Sequence, residues 1–156
     1  MQWQEACENK YLKNLPFKIE LNDHGKVVMT PVNVSHSILQ GKIIGCLYNN
    51  LTGGEALAEC AIKTKQGTKV ADVAWASNTL LEKIENEIEC PTAPEICVEV
   101  LSVTNTKREI GEKKALYFEQ GALEFWLCDS FGNMSFFTKE GKVERSNIAE
   151  NFPVNI

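Results

Sequence analysis

The sequence predicts an α/β (α+β) fold: a central mixed β-sheet with helices packed against it. Three features predict it. Apolar residues at Val34, Ile38, Ile43, Ile44, Leu47 and Leu51 recur near helical spacing. Period-2 runs flank a turn at "KQG", and a strand, a helix and another strand follow one another between residues 95 and 129.

Taken in order, "FKIELNDHGKVVMTP" reads as a hairpin, because "NDHG" supplies turn residues between two short apolar runs and Pro31 ends the second. A first helix follows in "NVSHSILQGKIIGCLYNNL", with Asn33 or Ser35 available as its cap and "TGG" as its stop. "EALAECAIKT" and "TKVADVAWAS" form the hairpin around "KQG", and "NTLLEKIENEIE" is a polar helical excursion. A strand over 95–101 leads through a loop at 102–106 into a helix over about 107–120, stopped by Gly121. "LEFWLCD", the turn "SFGN" and "MSFFTK" make a last hairpin, and "NFPVNI" a short packed extension.

At 156 residues the chain fits a single domain, 1–156, with residues 1–16 as an N-terminal extension. No run of about 18 apolar residues occurs, and "MQWQEACENKYLKNLPF" lacks a basic flank, an apolar middle and a cleavage site, so no membrane partner and a cytoplasmic location are expected. Six cysteines without CxxC spacing read as free thiols rather than a zinc site or a disulfide framework. The net charge of −5 gives no global attraction to nucleic acid, which leaves "KTKQGTK" (63–69) and "TKREIGEKK" (106–114) as local sources of positive field, or else as solvated surface.

Two acids break the strand pattern. In "ICVEVL", Ile96, Val98 and Val100 share one face and Cys97, Glu99 and Leu101 the other, so Glu99 is buried if both faces are covered. In "KVADVAW", Asp72 stands among Val70, Ala71, Val73, Ala74 and Trp75, although Asp is disfavoured inside strands. A buried carboxylate must neutralise or find a cation. If the two strands are neighbours with the acids level, they form a hard-oxygen site suited to magnesium. Ile110, Lys113, Tyr117 and Gln120 share a stripe of the later helix, which lets Lys113 reach inward; the alternative is a lysine snorkelling to solvent. His36, with Gln40 one turn later, is either a further site residue or a capping and surface histidine.

With these residues in view, "KIELNDHGKVVMTP…SH…I…L", "VADVAWAS", "APEICVEVLSVTNT" and "EKKALYFEQGALEFWLCD" together resemble the Uma-type (second class) putative restriction endonucleases of the PD-(D/E)XK nuclease superfamily, over about residues 17–153. The most specific part runs from Glu99 to Asp129. The resemblance implies a restriction-endonuclease-like core with acids on adjoining strands. Residue by residue, Asp72 matches the metal-binding aspartate and Glu99 the second acid. The superfamily's lysine two positions after that acid is replaced by Leu101, and Lys113 matches a lysine moved to the helix, with Lys114 its nearest rival. His36 matches the family's histidine, and Glu20 a recurrent acid of unassigned role. Ala71 and Val103 stand where the family commonly has proline; neither change removes a reactive group.

The resulting expectation is a Mg2+-dependent endodeoxyribonuclease, with Mn2+ as an alternative ion. Asp72, Glu99 and the main-chain carbonyl of Val100 would hold the metal, Lys113 would orient water or neutralise charge, and His36 would assist. DNA is the expected substrate, and a homodimer would suit cutting both strands. Two other readings use the same fold: a non-catalytic nucleic-acid or protein-binding module, and a hydrolase of smaller phosphodiesters.

Overall fold

A computed structural model describes all residues, 1–156. Its elements are α1 (Trp3–Glu8), β1 (Phe17–Leu21), β2 (Val27–Pro31), α2 (Val34–Asn50), β3 (Gly54–Thr64), β4 (Gly67–Ser77), α3 (Asn78–Ile84), β5 (Ile96–Val100), α4 (Lys107–Glu119), β6 (Glu124–Cys128), β7 (Met134–Thr138) and β8 (Gly141–Val143). A six-stranded sheet runs β3-β4-β5-β6-β7-β8, and β1-β2 forms a separate hairpin. Within the sheet only β5 and β6 are parallel. A parallel pair needs a crossover, and α4 supplies it.

Both faces of the sheet are covered, and the alternation of side chains divides the core accordingly. Val73, Trp75, Ile96, Val98, Val100 and Trp126 pack with Leu39, Ile43 and Leu47 of α2. Ala74, Ala76, Cys97 and Phe125 pack with Ile84 of α3 and Tyr117 of α4. The expected mixed sheet flanked by helices is therefore the architecture observed.

Local chemistry sets the ends of the elements. Asn33 caps α2 by accepting the His36 N–H at 2.9 Å, and Thr106 and Glu109 form a reciprocal capping box on α4. The β3-β4 turn needs its glycine: Gly67 has φ +86°, and a Cβ there would lie 2.3 Å from the Asn22 carbonyl oxygen. That close approach seats the end of β1 against the start of β4.

The expected helix over 78–89 is shorter, stopping at Ile84. Residues 85–89 form turns and bends, and the chain then meets β3 at one bridge: the Cys90 N–H donates to Ala61 O at 2.8 Å, and Lys63 N–H donates to Cys90 O at 3.0 Å. Pro91 and Pro94 then prevent any return to helix. At the N-terminus, α1 is docked by the Trp3 indole, whose Nε1 donates to Ile88 O at 3.1 Å. The C-terminal segment packs through Phe152, which is fully buried, and through the Met134 N–H bond to Val154 O. All six cysteines are free thiols, and the buried Cys60 and Cys90 sulfurs lie 3.4 Å apart.

Candidate active site

The β4-β5 ladder pairs Trp75 with Ile96, Ala74 with Cys97 and Val73 with Val98. Continuing that register by one residue sets Asp72 opposite Glu99, on the face shared with Ala74 and Cys97. The regular ladder stops there, and the Asp72 carboxylate takes over: its Oδ2 accepts the Val100 N–H at 2.8 Å. Asp72 and Glu99 are 2 % and 4 % exposed, so both must be compensated from within the protein.

Three elements supply the compensation. From β1, Lys18 Nζ lies 2.8 Å from Asp72 Oδ1 and 3.5 Å from Glu99 Oε2. From α4, Lys113 Nζ lies 3.3 Å from both Glu99 oxygens and 2.7 Å from Glu20 Oε1, while the Tyr117 hydroxyl donates to Glu99 Oε1 at 2.8 Å. From α2, on the opposite face, His36 Nε2 sits 3.4 Å from Asp72 Oδ2 and 3.2 Å from Val100 O. Gln40 fixes that arrangement, facing His36 Nδ1 through Oε1 at 3.2 Å and donating through Nε2 to Asp72 O at 3.0 Å. Every buried side-chain polar atom in the molecule has a partner.

The network sorts the protonation states. Burial pushes the Asp72 carboxyl up, but His36, Lys18 and the Val100 N–H outweigh it and hold the group below the usual carboxylate range. Burial of Glu99 prevails over the attraction of Lys113 and Lys18 and pushes that carboxyl up, with Asp72 and Glu20 adding to the rise. Glu20 is held low: Lys113, Lys18 and the Val70 N–H overcome the cost of its burial. Lys18 is raised because Glu99, Asp72 and Glu20 together exceed its own desolvation. His36 is raised by its hydrogen bond to Asp72, against a smaller opposing effect of burial.

Asp72, Glu99, Lys113, His36 and Val100, chosen from the sequence as site residues, line one cavity of about 40 Å³, together with Lys18, Glu20 and Glu59. Lys114, the rival lysine, lies elsewhere, with its ammonium 4.5 Å from the centre of the Phe137 ring. Glu20 has two jobs, since its Oε1 receives both Lys113 and the Val70 N–H at 2.7 Å. Lys18 is the residue that sequence reasoning missed. Its signal was the alternation in "FKIEL", which places Lys18 and Glu20 on one strand face, but nothing in the segment itself says what that face covers. Glu59 also went unremarked. It lies between the pairs Ala58–Val73 and Cys60–Ala71, across from Asp72, with a left-handed φ of 51°.

No three carboxylate, imidazole or thiolate side chains converge closely enough to make a metal cage by themselves. The oxygens that do converge, from Asp72, Glu99 and Val100, are hard donors of the kind Mg2+ uses in ones and twos, with waters and phosphate oxygens completing its shell. At about 10–15 Å³ for one water, the cavity beside these oxygens has room for two or three waters, with the Lys18 ammonium seated against the acids themselves. The donor set therefore fits the metal that the sequence resemblance implies.

The chain belongs to the Uma2 family, described as "Putative restriction endonuclease", whose pattern it matches over residues 4–151, reaching upstream of residue 17 into α1. Five chains of solved structures match it. Among them is one described as a putative nuclease belonging to DUF820 from Anabaena variabilis ATCC 29413, with a TM-score of 0.77 and 15% identity, over 99% of this chain and 94% of that one. At that identity the likeness is one of fold. Among curated proteins no match is found.

Proposed function

We propose that this chain is a divalent-metal-dependent endonuclease that hydrolyses phosphodiester bonds in DNA. The observation that carries the reading is the convergence of Asp72 and Glu99, from adjoining strands, on one cavity that also holds the Lys113 ammonium. Membership of a restriction-endonuclease family supports a nuclease, and the donor chemistry supports the metal.

Asp72, Glu99 and the Val100 carbonyl would hold Mg2+ or Mn2+. Bound there, the ion would supply positive charge to a phosphate oxygen and acidity to a water. The protein's own groups do the rest. Lys113, fixed between Glu20 and Glu99, presents an ammonium to the attacking water and to the charge that grows on the phosphoryl oxygens. Water attacks phosphorus in line with the departing oxygen, and the P–O bond breaks. His36, oriented by Gln40 and Asp72, points Nε2 into the same space and can hold a proton there. Tyr117 anchors Glu99 from beneath.

DNA must approach against a net charge of −5, so local cations matter. The two basic stretches provide fewer than their sequences suggest, because Lys65 pairs with Glu119 at 2.9 Å and Arg108 with Glu112 at 2.8 Å. The test is a Mn2+-supported nicking assay on plasmid DNA, comparing the native chain with Asp72→Asn and Lys113→Ala. Nicking by the native chain alone is expected, and equal behaviour of all three would remove the proposal.

A further inference from the structure

We infer that the Lys18 ammonium holds the place of the divalent cation, so that metal binding at Asp72 and Glu99 must displace Lys18 from the site. This rests on the metal-dependent reading above and concerns how that site is controlled.

The geometry is that of a cation seated among anions. Lys18 Nζ faces Asp72 Oδ1 at 2.8 Å, Glu99 Oε2 at 3.5 Å and Glu20 Oε1 at 3.9 Å, on a side chain only 11% exposed. Mg2+ binds carboxylate oxygens at about 2.0–2.1 Å. An ion that close to both acids would occupy the volume now filled by the ammonium, so the two cations exclude each other. Charge leads to the same conclusion. Three acids, Glu20, Asp72 and Glu99, face two ammoniums, Lys18 and Lys113. Without Lys18, three acids face a single ammonium, a surplus of acid that favours a cation in its place.

Lys113 is placed differently. It contacts Glu99 and Glu20 but has no ion pair with Asp72, so it could remain if the two strand acids held a metal. Lys18 can also leave without unseating its hairpin, because β1 is held independently. Glu20 accepts the Val70 N–H at 2.7 Å, and Lys69 Nζ donates to Leu21 O at 3.2 Å. The released ammonium would stay tethered beside the cavity, where a substrate phosphate arrives.

Mn2+ binding, measured by the free-ion electron paramagnetic resonance signal, tests this on the full chain, Lys18→Met and Lys113→Met. Both variants remove one positive charge from the cluster, but only the first removes the competing occupant. Lys18→Met is expected to bind Mn2+ about tenfold more tightly than the native chain, and clearly more tightly than Lys113→Met. If Lys18→Met binds no more tightly than Lys113→Met, the effect is general charge and the inference is wrong. Should none of the three bind Mn2+ at millimolar concentration, the metal reading fails and takes the inference with it. A second readout needs no variant: acetylation of Lys18 in the native chain, followed by peptide mass spectrometry, should rise several-fold on adding Mn2+. An unchanged rate alongside demonstrated Mn2+ binding would overturn displacement.

Discussion

Lys113 and Glu20, 93 residues apart in the chain, meet with Nζ 2.7 Å from Oε1. The pair ties α4 to the β1-β2 hairpin directly above the strand acids. A lysine that also faces both Glu99 oxygens is held in one orientation, as a group that must stabilise charge in a transition state should be.

Its neighbour in sequence provides the contrast. Lys113→Met should lower plasmid nicking about 100-fold or more, whereas Lys114→Met should stay within a few-fold of the native rate. Lys114 packs over Phe137 and lies outside the cavity, so its loss removes a cation–π contact and no site charge. Equal losses in the two variants would contradict the assignment of Lys113.

Glu20 joins stability to the site. In Glu20→Ala the Val70 N–H loses its acceptor and Lys113 loses its nearest anion, a combination costing about 2–4 kcal/mol in urea unfolding. Glu20→Gln retains an acceptor for Val70 and should cost about half as much. Because Glu20 pins β1 to β4, the alanine variant should also be cut faster by protease in the 22–26 turn.

Much of this was legible in the sequence. Asp72 and Glu99 stood out because each violates its strand's own pattern, and the α4 stripe put Lys113 on the inward face. What was hidden depends on contacts between distant segments. Lys18 lies in a hairpin outside the main sheet, and nothing local says that its face covers the middle of β4. The early stop of α3 has a similar origin: "ENEIEC" suits a helix in isolation, but β3 offers Cys90 backbone partners that the helix cannot match. Asn33 and Ser35 were equal candidates as caps from residue type alone, and backbone geometry selects Asn33.

His36 carries a pH signature. Its hydrogen bond to Asp72 raises the imidazole above its ordinary value of about 6.5, with burial opposing. A group raised on folding stabilises the native state fully below its unfolded pKa, and that contribution fades as pH rises through the folded value. Ring-proton NMR should therefore show His36 titrating above about 6.5 in the native chain and lower in Asp72→Asn. Assignment against His24 is made with His24→Gln. An unchanged His36 midpoint in the Asp72 variant would show that the contact does not exist in solution.

Glu124 is the buried acid that the chemistry leaves aside. It is 1% exposed, on the α2 side of the sheet, and it does not line the site cavity. No cation pairs with it; four donors do the work instead. Oε2 accepts from Trp126 Nε1 and Ser146 Oγ, both at 2.7 Å, and Oε1 from the Asn147 N–H at 2.7 Å and the Ile148 N–H at 3.2 Å. These bonds fasten the C-terminal segment to β6. Glu124→Met would leave the Trp126 Nε1, the Ser146 Oγ and the Asn147 N–H without their acceptor, while the Ile148 N–H keeps Ser146 Oγ at 3.1 Å, and should cost about 3–5 kcal/mol, enough to unfold a marginal domain. Glu124→Gln keeps one carbonyl for Asn147 and Ile148 but turns an NH2 toward the Trp126 N–H, and should cost about 2 kcal/mol. Trp126 fluorescence reports the change directly, since the indole loses its acceptor. At a temperature where Glu124→Gln is folded, its nicking rate per folded molecule should match the native chain. A specific loss of activity there would place Glu124 in the chemistry and contradict its role as an anchor.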